Sequence, residues 1–257
     1  MFYRNHVPAL RHLAMGLCTA LLGLTAQAAD ILVWSAGAAQ TPLSSLIQDY
    51  QKASGNTIKV EFAPVGVLLK RLADGGRPDV LIISQDVVAN VEKNGWSAPQ
   101  AAKSIGRVGV GIAIKEGAPV PDISTPAALR QTLLNAKSLT YMDPNKGTSG
   151  KHFVSVLEQL GIAEQVKSKT TLGEAGFIVE PVAHGDIELG VQQITEILQV
   201  KGAKLVGPLP DTLQKVTTYV ITPGAQPRDA AASRDFMAFV TGARAQAVFI
   251  VHGFAAP

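Results

Sequence analysis

Runs of branched apolar residues recur between stretches whose apolar residues fall at helical spacing, and this alternation limits the folds open to the chain. Ile31-Leu32-Val33-Trp34, Ile58 to Phe62 and Asp79 to Ile83 read as strands. Between the first two, Pro42 to Ala53 carries Leu43, Leu46, Ile47 and Tyr50 on one face, with Thr41 as the expected N-cap and Gly55 past the end. Val67 to Leu72 and Ala89 to Asn94 predict short helices, and Val108 to Ile114 a further strand. Unbroken Val, Leu and Ile runs suit parallel strands covered on both faces. Strand and helix in this order predict an α/β fold built on doubly wound, mostly parallel sheet.

A second unit follows. Thr125-Pro126 starts a helix to about Ala136, with proline at its first position. Leu139 to Met142 reads as a strand, and Lys151 to Leu160 as a helix capped by Thr148 or Ser149. Lys169 to Leu172 is extended, Phe177 to Ala183 helical, and Leu189 to Gln193 a strand. Thr217 to Thr222 reads as a strand returning to the first unit, and Asp229 to Thr241 and Ala243 to His252 close the chain as helices. The expected organisation is therefore a leader over 1–28, a discontinuous first lobe of 29–115 plus 217–257, and a second lobe of 116–216, with a ligand cleft between the lobes. Ligands of open α/β sheets sit beyond the carboxyl ends of the strands, where helix N-termini point. The site is expected after the strands ending near Trp34, Phe62, Met142 and Gln193.

The first residues predict where such a chain works. Arg4 and Arg11 precede an apolar run from Leu13 to Leu24, and Ala26-Gln27-Ala28 offers small residues for cleavage. That is the pattern of a secretory signal cut near Ala28. The run is shorter than the about 20 residues a membrane span needs. Leu17 ahead of Cys18 is too bulky for a lipid-attachment site. A periplasmic protein without membrane insertion is expected, and a monomer. Removing the leader leaves 21 basic residues against 20 acidic ones and takes the single cysteine. Disulfides, thiolate nucleophiles and Cys-bound metals leave with it. The near-neutral charge that remains, with few aromatics, argues against nucleic acid as a partner.

The candidate chemistry lies in the strand-to-helix turns. Gly37 and Ala38 follow the first strand and Val65 and Gly66 the second; such small residues let backbone N–H groups meet an anion. Asp143 to His152 is a Gly-, Ser- and Thr-rich turn in which Thr148, Ser149 and Lys151 suit a carboxylate or other oxyanion. It lacks the spacing of a nucleotide P-loop. Ala175 belongs to a later loop of the same kind, and Gln193 ends an apolar strand beside Gln192, Thr195 and Glu196. His152, Glu174 and Glu196 are the candidate proton carriers. Beyond the leader only His152, His184 and His252 remain, without paired spacing, so no metal and no other cofactor is expected. No G-x-S-x-G elbow points to a serine hydrolase.

The segments ILVWSAGAAQTPLSSLIQDYQKASG, IKVEFAPVGVLLKRLADGGRPDVLIIS, YMDPNKGTSGKHF, HGDIELGVQQITEI and FMAFVTGARAQAVFIVHGF resemble, in this order, the periplasmic molybdate-binding-protein-like group of type II solute-binding proteins. The resemblance implies a two-lobed fold closing on a small anion, and an ABC-type membrane transporter as partner. Molybdate binders place hydroxyl side chains where this chain has Ala38, Val65 or Gly66, and Gln193. The resemblance is thus to a non-molybdate subgroup, and a di- or tricarboxylate is the expected ligand. A second reading on the same fold is an isomerase of aconitate type. There Lys151 and helix N-termini would hold the carboxylates, and His152, Glu174 or Glu196 would shuttle an allylic proton. A third is molybdate or tungstate binding through altered contacts.

Overall fold

The computed structural model describes residues 1–2 and 28–257. The expected leader therefore falls, apart from its ends, outside the described residues. From there the chain runs β1 (Asp30–Ala36), α1 (Gln40–Ser54), β2 (Thr57–Ala63), α2 (Val65–Ala73), β3 (Val80–Ser84), α3 (Val88–Lys93) and β4 (Lys103–Val108). It continues through β5 (Val110–Lys115), α4 (Pro126–Asn135), β6 (Leu139–Met142), α5 (Thr148–Gln159), α6 (Ala163–Lys167), β7 (Thr170–Gly173), α7 (Glu180–His184), β8 (Leu189–Gln193), α8 (Ile194–Ile197) and β9 (Ala203–Pro208). It ends with β10 (Thr217–Pro223), α9 (Ala230–Thr241) and α10 (Ala243–Val251).

Two five-stranded sheets result, ordered β2-β1-β3-β10-β4 and β7-β6-β8-β5-β9. Each has three parallel strands followed by one antiparallel strand that arrives from the other lobe, β10 in the first sheet and β5 in the second. Val108 to Ile114 was expected as one strand of the first lobe. It is broken at Gly109: β4 ends in the first sheet, and β5 pairs with β8 and β9 in the second. The crossing thus falls at residue 109 and not at 115.

The cores follow the sequence pattern. Leu43, Leu46, Ile47 and Tyr50 of α1 are buried with Ile31, Val33, Phe236 and Phe249 in the first lobe. Phe153, Val156 and Leu157 of α5 pack with Leu139, Val191 and Leu129 in the second. Under the first sheet the buried Asp79 accepts from the N–H of Leu32 and of Arg228, both at 2.7 Å, and from the Arg228 guanidinium. Burial raises this carboxyl, but those hydrogen bonds outweigh it and hold it below the usual carboxylate range. Thr125 caps α4 by accepting from Ala128 N–H at 3.1 Å, and Asp229 caps α9 through Ala232 N–H at 2.9 Å. Thr41 is no cap: a 3-10 turn over Gly37–Ala39 leads into α1 and puts it inside the helix. Thr148 and Ser149 likewise lie in the first turn of α5, behind Gly147. No helix among the described residues is long and apolar enough to cross a membrane.

Candidate functional site

β1, β2, β6 and β8 all end at the gap between the lobes. A cleft of about 470 Å³, counting its open mouth, lies there. The first lobe lines it with the turn into α1 (Gly37, Ala38, Gln40), the turn into α2 (Pro64, Val65) and Tyr219 of β10. The second contributes Met142, the start of α5 (Gly147, Thr148, Ser149), Gly176, Gln193 and Glu196. The N-termini of α1, α2 and α5 thus converge on one space, each with N–H groups that no helical carbonyl can satisfy. No lysine, arginine or histidine lines it among the described residues. The lining offers a ligand neutral donors and one carboxyl.

Glycine makes the close approaches possible. A Cβ at Gly150 would lie 1.8 Å from the Met142 carbonyl oxygen, so α5 can press onto the end of β6 only with glycine there. A Cβ at Gly37 would come 2.7 Å from Oε1 of Glu196, which places that carboxyl directly over the Gly37 backbone.

Glu196 sits on the single turn α8 that follows β8 and is only 8 % exposed. Burial pushes its pKa up to about 8, eased in part by the Gln192 side chain and the Gln193 backbone. Beside it Gln193 donates to Thr148 Oγ1 at 3.1 Å and to Thr217 Oγ1 at 3.4 Å. Thr148 Oγ1 stands 3.4 Å from the Tyr219 hydroxyl, which comes from the other lobe. Gln192 donates to the Gly176 carbonyl at 2.9 Å and holds that loop against the cleft. The site can therefore receive an anion and offers it one carboxyl able to take or give a proton near neutral pH.

The sequence pattern described as bacterial extracellular solute-binding protein matches residues 31–255. The chain belongs to that family. This solute-binding protein is 30% identical over 249 residues to an aconitate isomerase of a Pseudomonas species, covering 93% of this chain and 94% of that one. It is 28% identical over 204 residues to the molybdate-binding protein ModA of Azotobacter vinelandii, 77% of each chain. The solved periplasmic molybdate-binding protein of Azotobacter vinelandii superposes with a TM-score of 0.75 at 15% identity, over 88% of this chain and 99% of that chain. The expected two-lobed α/β fold and the molybdate-binding-protein-like resemblance stand on these findings.

Of the residues singled out from the sequence, the structure brings Gly37, Ala38, Val65, Thr148, Ser149, Gln193 and Glu196 to the cleft of this solute-binding protein. Gly66 is next to it, but its N–H is taken: it donates across the lobe gap to the Lys146 carbonyl at 2.8 Å. Lys151 points away into a neighbouring groove with Lys146 and Asp86, because it lies one turn along α5 from the end that faces the cleft. His152 is held by the Leu213 carbonyl at 2.8 Å, and burial pushes its ring pKa down despite that bond. Glu174 is exposed and pairs with Lys146 at 3.1 Å. Ala175 is exposed too, and its neighbour Gly176 reaches the cleft instead. Gln40, Met142 and Tyr219 line the cleft without having been singled out. Gln40, the first residue of α1, carries a polar side chain that could have signalled it. Tyr219 lies in a run that reads as an ordinary strand, and no local pattern marks it.

Proposed function

We propose that this solute-binding protein holds a di- or tricarboxylate between its lobes and isomerises it by allylic proton transfer through Glu196. The observation that carries the reading is the placement of that carboxyl: buried, at the meeting point of three helix N-termini, and against the bare backbone of Gly37. A carboxylate of the ligand takes the N–H groups of those helix ends. Ionised Glu196 removes a proton from the methylene carbon next to the ligand's double bond. The electron pair of that C–H bond delocalises over the three carbons and the attached carboxylate. Glu196 then returns the proton to the far carbon, so the double bond shifts with no net gain or loss of atoms or electrons. Similarity over nearly the whole chain to a protein named aconitate isomerase supports aconitate as the reference substrate. Export through a leader cleaved near Ala28 belongs to the same proposal.

Incubation with trans-aconitate, followed by proton NMR, should show conversion to the cis isomer. Glu196→Gln should lower the rate at least about 100-fold while a ligand-induced thermal shift persists, since removing a proton carrier costs about 10²–10⁴-fold. Unchanged substrate with the wild-type protein would sink the isomerase reading.

A second reading rests on the same carboxyl in its other state. With a pKa of about 8, Glu196 is a neutral acid at pH 7 and can donate to a ligand carboxylate without chemistry. The protein would then be a binding component that hands its ligand to an ABC-type membrane transporter. The two readings predict opposite pH trends. A base acts when ionised, so kcat/KM rises about tenfold per unit up to about pH 8 and then levels. A neutral donor is lost on ionisation, so affinity is constant below about pH 8 and falls above it.

A further inference from the structure

Among the described residues no cation lines the cleft, yet the proton transfer proposed above piles negative charge on a ligand that is already an anion. Something neutral must take hold of that charge. We propose that Tyr219 is that group: its hydroxyl donates to the ligand carboxylate on which charge builds while Glu196 moves the proton. The inference rests on the isomerase reading.

Three observations converge on this residue. Tyr219 is 2 % exposed, and what remains open lines the cleft. Its hydroxyl lies 3.4 Å from Thr148 Oγ1, and the Gln193 amide, which can only donate to it, is the other polar side chain in reach. The threonine contact is long for an O–H···O bond, whose usual distance is about 2.7–2.8 Å. Thr148 Oγ1 also accepts from the Gln193 amide, so the threonine's own hydrogen is free to point at the tyrosine oxygen. With the threonine as donor of that pair, the phenolic hydrogen is left for the cleft. A buried donor without a good partner is costly, and that cost is relieved as charge builds on the ligand carboxylate.

The ring cannot swing away. It meets Phe254 edge-on with centroids 6.2 Å apart, and Phe254 is itself clamped edge-on against Phe249 at 4.9 Å. Gly106 beneath them has no room for a side chain, since a Cβ there would be 2.8 Å from Phe254. Burial, with Glu196 and Asp86 nearby, raises the phenol's pKa, so the hydroxyl keeps its hydrogen. A rigid donor in a site of low dielectric that loses nothing to reorganisation is the kind that favours a transition state over a ground state.

Tyr219→Phe keeps the ring and removes only the donor. With trans-aconitate, kcat should fall about 100-fold, in line with the roughly 10²–10³ seen for single oxyanion donors. KM and the dissociation constant measured calorimetrically should change less than about threefold. A merely structural tyrosine would shift the melting temperature or KM and leave kcat alone, and that result overturns the inference. Replacing Tyr219 by 3-fluorotyrosine, a stronger donor of nearly the same shape, should leave the fold intact and raise kcat; an unchanged kcat would also count against it. Proton NMR of the aconitate isomers separates the two failures. Conversion at equal rates by wild-type protein and Tyr219→Phe refutes the role of Tyr219 alone. No conversion by wild-type protein refutes the isomerase reading and this inference together.

Discussion

At the scale of single residues, Glu196 ties the site to the stability of the whole chain. Its pKa is about 8 when folded and near 4.5 when free. Between those values the folded protein holds a proton that the unfolded chain has released. Stability therefore falls as pH rises through that window. The contribution is whole below about pH 4.5 and gone above about pH 8. Within the window one bound proton changes stability by about 1.4 kcal/mol for each step of one in pH, so the slope is measurable. Urea midpoints at pH 5, 6.5 and 8.5 should fall steadily in the wild type and stay nearly level in Glu196→Gln; parallel slopes would place the titration elsewhere. Asp79 works in the opposite sense, losing its contribution only as pH falls through its lowered value, outside this window. Glu196 was legible as one of three candidate proton carriers. What separates it from His152 and Glu174 is direction. Glu196 follows β8 by one turn and faces inward. His152 turns to the linker carbonyl of Leu213, and Glu174 to the solvent. Residue type and distance from a strand end are written in the sequence, but the face of a single turn depends on what packs across the gap.

At the scale of elements, the clearest case is the meeting of α2 with the loop before α5. Gly66 N–H donates to Lys146 O at 2.8 Å, and a Cβ at Gly66 would sit 2.7 Å from Asn145 O and 2.8 Å from Lys146 O. Alanine suits a helix better than glycine by about 1 kcal/mol, so Gly66→Ala should not unfold the first lobe. It should instead wedge the lobes apart and weaken ligand binding about tenfold or more, read by calorimetry. Equal affinity would mean that the contact is incidental to closure. The alternation of strand and helix was readable because several strands carry unbroken apolar runs, such as Ile31 to Trp34 and Val80 to Ile83. The two strands that escaped the reading, β4 and β9, are both the last in their sheets. In KSIGRV and AKLVGP the apolar runs are short and interrupted by basic residues and glycine, which an edge strand tolerates because it needs little burial. α8 escaped for another reason: one turn of Ile-Thr-Glu-Ile is too short to show a period.

At the scale of the molecule, both crossings between lobes are stitched at one place. Gln214, in the linker before β10, accepts from Val110 N–H at 3.0 Å and donates to the Val110 carbonyl at 2.8 Å, imitating a strand partner. Leu209 N–H reaches the same carbonyl at 3.1 Å, and Ile194 N–H bonds the Gly109 carbonyl at 2.9 Å. The second linker is thereby tied to the break between β4 and β5, which holds the two sheets in an arrangement where the three helix ends already converge. A ligand gains full affinity only from molecules in that arrangement, and a smaller competent fraction raises the apparent dissociation constant in proportion. A bound anion that touches both lobes should stabilise them together. At about 100 times its dissociation constant it adds about 2.7 kcal/mol, or about 5–11 °C for a chain of this size. Gln214→Ala leaves the Val110 N–H without its partner, so the ligand-free melting temperature should drop. With the linker loosened, the carboxylate concentration giving half of the maximal thermal shift should also rise severalfold. A lower melting temperature with an unchanged half-maximal concentration would show that Gln214 supports the fold but does not hold the lobes ready to bind.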